Sequence, residues 1–159
     1  MKKFTLNLKK FVFISACIAF CVFSGFQLPE ENTVFIQSML TKYYDNDRQL
    51  KDIKRYEINV TNTGFCRYRK VFNSGKEEYF AFNLARFKSM DYYGTTAKGE
   101  LYLRTKNDDV IVQTRNDRAG NVDSMGTFMV IPIKNIEVSE LNALAENFKK
   151  MNANLVVHK

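Results

Sequence analysis

From Ile53 onward the apolar residues of this chain recur at every second position, a period that suits strands and not helices. Tyr56, Ile58, Val60, Cys66, Tyr68 and Phe72 share one parity, while Glu57, Asn59, Arg67 and Arg69 share the other. Alternation of this kind belongs to a strand with one buried and one wetted face. The spacing predicts one strand beginning at Ile53, interrupted near Asn62-Thr63-Gly64 by a bulge or turn, with Cys66 pointing inward.

The same reading carries forward along the chain. Asn73-Ser74-Gly75-Lys76 is a turn signal, and the run from Tyr79 to Phe87 puts Phe80, Phe82 and Leu84 on one face, so the two runs make a hairpin. A strand follows over 98–105, where Leu101 and Leu103 alternate with Tyr102 and Arg104. Lys106-Asn107-Asp108-Asp109 turns the chain into another over 110–115. The last strand is expected over 123–133, with Pro132 marking an edge or the end of pairing because proline cannot donate to a ladder.

Two helical periods flank this region. Val34, Phe35, Met39, Leu40 and Tyr43 predict a helix from Thr33 to about Asp45, with Asn32 or Thr33 as its cap. Leu141, Leu144, Ala145, Phe148 and Met151 predict a second, capped by Ser139. Each helix carries an apolar stripe that needs a cover, and the sheet is the available partner. The expected fold is therefore α+β: an antiparallel meander of about five strands packed against an N-terminal and a C-terminal amphipathic helix.

Residues 1–26 stand apart from this pattern. Lys2, Lys3, Lys9 and Lys10 precede an apolar run from Phe11 to Phe26, the layout of an export signal whose positive end stays in the cytoplasm. Cleavage between Ser24 and Gly25 is the expected fate. Lipidation at Cys17, in the lipobox-like Ile14-Ser15-Ala16-Cys17, and retention as an anchor are the alternatives. The expected product is a single globular domain over 27–159, exported to the periplasm, cell surface or extracellular space and touching a membrane only through its N-terminal segment.

Charge and cysteine content narrow the function classes. The chain carries +7, but removing the four lysines of the segment leaves 20 basic against 17 acidic residues, a net charge of +3. That is an ordinary solubility charge with no basic block, so nucleic acid is not an expected partner. Loss of Cys17 and Cys21 with the segment leaves Cys66 alone, which rules out an intrachain disulfide scaffold.

The sequence offers little for catalysis. His158 is the single histidine and stands next to the C-terminus, which removes imidazole-based triads and most zinc sites. No phosphate-binding glycine loop is present, and neither a cofactor nor a metal is expected. Asp91, Asp108, Asp109, Asp117 and Asp123 fall in or beside expected turns, and Asn116 to Asp123 only faintly resembles a calcium loop. Tyr92, Tyr93 and Tyr102 lie where the alternation does not bury them, and an exposed tyrosine suits a saccharide, a peptide or another protein. The leading expectation is a non-enzymatic binding module that uses these tyrosines and the Ser89–Thr96 segment, read as a loop, to hold a protein, peptide or envelope component. A carrier with an apolar pocket between sheet and helices is the alternative, and a hydrolase built on carboxylates alone is the third.

Overall fold

A computed structural model describes residues 29–47 and 52–157. The segment expected to direct export, with Cys17, Ser24 and Gly25, lies outside the described residues, as does His158. Helix α1 spans Pro29–Lys42. Eight strands follow: β1 Ile53–Val60, β2 Phe65–Phe72, β3 Glu77–Asn83, β4 Phe87–Gly94, β5 Lys98–Thr105, β6 Val110–Arg115, β7 Asp123–Gly126 and β8 Phe128–Lys134. Helix α2 closes the chain over Val138–Val157.

The class is α+β with antiparallel pairing, but the strands form two sheets in place of the single meander. One is five-stranded in the order β1-β2-β3-β6-β7, and the other three-stranded in the order β4-β5-β8. The chain crosses between the two sheets at three junctions. Between β3 and β4 the 3-10 turn Leu84–Arg86 intervenes, its first turn capped by Asn83, whose Oδ1 accepts from Ala85 N at 2.9 Å. Lys106–Asp109 separates β5 from β6, and Thr127 alone separates β7 from β8. Leu84 stays buried across its break, so the period of two runs through the turn without marking it.

The expected first strand is also two. Thr61 and Gly64 close a turn through Gly64 N–H to Thr61 O at 2.8 Å, and Gly64 takes φ +86, a conformation that costs L residues. Tyr56, Ile58 and Val60 on β1, and Cys66 and Tyr68 on β2, nevertheless face the same interior, because pairing of Ile58 with Tyr68 and Val60 with Cys66 keeps the parity.

Both helices cover this interior. Ile36, Met39 and Leu40 of α1 and Leu144, Phe148 and Met151 of α2 join the buried cluster with Cys66, Phe82, Leu101, Leu103, Met129 and Ile131. Phe148 stacks on Phe87 with ring centroids 5.2 Å apart. The helices also meet each other: Thr33 Oγ1 bonds Met151 Sδ at 3.7 Å, and Lys42 and the Tyr43 hydroxyl both reach Glu140. Thr33 is thus buried inside α1 and does not cap it. At the other helix Glu140 replaces Ser139 in the capping role, its Oε2 accepting from Glu137 N–H at 3.1 Å, the backward half of a capping box.

Pro132 lies on the edge strand β8, as its chemistry requires. Its carbonyl accepts from Asp45 N–H at 3.0 Å, and Lys134 N–H donates to Tyr43 O at 2.7 Å. The segment leaving α1 therefore seals the last residues of β8. No described helix is long and apolar enough to cross a membrane.

Candidate functional site

On the outer face of the three-stranded sheet, alternation leaves Asp91 and Tyr93 of β4, Glu100, Tyr102 and Arg104 of β5, and Phe128 of β8 on one side. Registers Asp91↔Tyr102, Tyr93↔Glu100 and Arg104↔Phe128 make them cross-strand neighbours. Tyr93 meets Tyr102 edge-on with centroids 5.1 Å apart, and Tyr102 lies 5.5 Å from Phe128 at 41°. Arg104 places its guanidinium 5.6 Å from the Tyr102 ring and 5.5 Å from the Phe128 ring. Such stacking lets a cation shelter apolar rings while remaining charged.

Each polar group in this cluster is held in place. Arg104 Nε donates to Asp91 Oδ2 at 2.5 Å, and this bond raises the guanidinium further above its usual range, with Tyr93 contributing a second side-chain hydrogen bond. Tyr102 donates to Glu100 Oε2 at 3.1 Å, and the carboxylate lifts the phenol above its ordinary value. The result is a fixed surface with apolar rings at its centre and paired charges around them. Tyr93 is 57% exposed and Phe128 42%.

Of the three tyrosines singled out from sequence, Tyr93 and Tyr102 come together here and Tyr92 does not. Tyr92 turns to the opposite face, lies against Gly99 and packs beside the core, with its hydroxyl donating to Thr95 O at 2.7 Å. The Ser89–Thr96 segment is mostly strand β4, so the expected loop is only the turn after Gly94. Phe128 and Arg104 were missed as site residues. Arg104 shares the parity of Tyr102, a signal present in the sequence. The one-residue offset at Thr127 hid Phe128.

A second concavity runs along the β1 edge of the five-stranded sheet, from α1 round to the outer face. A groove of about 670 Å³ is lined by Gln37 and Thr41 of α1 together with Tyr56, Arg67, Arg69 and Tyr79, among others. A smaller one of about 430 Å³ adjoins it at Arg69 and Tyr79. Arg69 is neutralised by Glu77 through contacts of 2.9 and 2.8 Å, with Glu57 at 3.6 Å. Both grooves are open to solvent and do not form an enclosed cavity.

Cys66, Asp117 and Asp123 have structural roles. Cys66 is fully buried, and burial pushes its thiol up to about 12, so it is held as the neutral thiol. Asp117 bonds Lys76 at 2.9 Å and its own turn through Ala119 N–H at 3.0 Å, which lowers its carboxyl below the usual range. Asp123 accepts from Gln113 at 3.1 Å. Among the described residues no group of three or more His, Cys, Asp or Glu side chains is placed to hold a metal ion. Comparison with known proteins adds no relative: no family model, curated protein or solved structure matches this chain.

Proposed function

We propose that this chain is an exported, non-enzymatic binding module that holds a protein or peptide partner against the outer face of its three-stranded sheet. The observation that carries this reading is the exposed Tyr93–Tyr102–Phe128 cluster with Arg104 over its rings. Tyrosine, phenylalanine and arginine are the side chains that concentrate in the energetic centres of protein interfaces. Tyrosine also loses little conformational entropy when it is covered. A saccharide is the less favoured ligand. Tyr93 and Tyr102 stand at 83° to one another, and that geometry offers no flat platform for a sugar ring.

Export rests on the lysines that precede the apolar run in residues 1–26. The test is co-purification from the protein's own cells. Replacing Tyr93 and Tyr102 together by Ala is expected to remove the polypeptides that accompany the parent chain while its circular dichroism melt stays close to the parent's. An unchanged set of companions would place the site elsewhere. Native mass spectrometry separates this reading from an apolar-ligand carrier, which would show a lipid-sized adduct.

A further inference from the structure

Strand edges are sticky, and most edges of this molecule carry a device that blunts them. On β1 the Gln37 amide acts as a short strand: its Nε2 donates to Ile58 O at 2.8 Å and its Oε1 accepts from Val60 N–H at 2.7 Å. On β4 the ladder is broken by an irregularity between Phe87 and Ser89, with exposed Lys88 inside it. The end of β8 is sealed by Tyr43 and Asp45. The stretch from Asp123 to Val130 carries no such cover among the described residues, and it is apolar: Met125 is 54% exposed and Phe128 42%.

The backbone pattern of this stretch says what fits it. Val122 O accepts from Thr114 and Thr127 O accepts from Thr105, both at 2.9 Å, so Val122 faces β6 and Thr127 faces β5. By alternation, the N–H and C=O groups that point away from the sheets belong to Asp123, Met125, Phe128 and Val130. Their spacing is two, three, two. A regular strand presents edge groups at every second residue and falls out of phase at the central step. The same sequence run antiparallel stays in phase throughout.

We infer that the β7–β8 edge is a self-association surface, and that its occupant is the same edge of a second copy, related by a two-fold axis near Gly126 and Thr127. That pairing sets Met125 opposite Phe128 of the second copy and Asp123 opposite its Val130. Each contact occurs twice, as an isologous interface requires. Sulfur against a ring is a favourable contact, and the pairing also satisfies the edge amides. Main-chain bonds thus supply adhesion and the offset at Thr127 supplies specificity.

Sedimentation velocity of the purified full chain over a wide concentration range tests this. A monomer–dimer equilibrium is expected. Met125→Lys and Phe128→Glu should each weaken it by about tenfold or more, since both positions sit at the centre of the pairing. The two substitutions in one chain should restore association, because the new charges face each other twice across the axis. A chain that is monomeric at every concentration overturns the proposal. So does a dimer that neither single substitution weakens, or a double variant no stronger than the singles. Tyr93→Ala, on β4, is expected to leave the equilibrium unchanged, so this inference and the docking reading fail separately.

Discussion

Gly94 ends β4 with φ +148, and a Cβ built there would lie 2.4 Å from Gly99 Cα and 2.5 Å from Lys98 O. Those are backbone atoms of the paired strand, which cannot turn aside as a side chain can. Gly94→Ala is therefore expected to destabilise the fold by about 2 kcal/mol or more, through backbone strain and overpacking together. Gly75 also takes a positive φ, +85, but a Cβ there meets nothing within 4 Å, so Gly75→Ala should cost only about 1 kcal/mol. Urea unfolding of both variants checks the difference, and equal losses would mean that the β4–β5 hairpin is looser than described. The contrast bears on function because Gly94 adjoins Tyr93. Deeper in, Tyr44 and Tyr68 share a buried hydroxyl pair at 2.8 Å, and Tyr44 stacks on Tyr56 at 3.7 Å, joining the chain after α1 to β1 and β2. Burial pushes the Tyr44 phenol up to about 12.

At the scale of elements, the period of two locates the strands other than β4, whose residues read as a loop, and hides several of their breaks. The alternating residues of 98–105 and 110–115 match β5 and β6 at both ends. The stripe Leu144, Phe148, Met151 is the buried side of α2. What alternation could not reveal is pairing: β3 and β4 sit in different sheets although Leu84 keeps its inward direction between them. Sheet membership depends on contacts between distant strands, and no local period encodes those. The candidate site was half legible for the same reason. Tyr102 follows from parity and Tyr93 stands out only together with Tyr92, in a segment that reads as a loop, whereas Phe128 needs the offset at Thr127. Gln37 was likewise invisible, since its role is tertiary. Gln37→Ala removes two hydrogen bonds from β1 and uncovers its edge. A loss of about 1–3 kcal/mol in urea unfolding is expected, with a greater tendency to aggregate on heating. A melt and scattering trace identical to the parent's would show that the amide is incidental.

For the molecule as a whole, the proposal of export rests on residues 1–26. Those residues hold Cys17 and Cys21, while Cys66 is buried in the domain. Cleavage before Gly25 leaves one cysteine of three, so a thiol assay on protein recovered from its own cells should count one thiol after denaturation and close to none before it. Three thiols after denaturation would mean that the segment is retained without modification of its cysteines. The aromatic face lies on the three-stranded sheet, away from the helices that close the core, so covering it with a partner requires no change in α1 or α2. The most direct measurement places a photo-crosslinking residue at Tyr93 in cells, with the same residue at Tyr79 on the five-stranded sheet as the comparison. A discrete polypeptide adduct from position 93, weak or absent from position 79 and lost when Tyr102 is changed to Ala, is the expected result. Adducts from position 79 with none from position 93 would contradict it.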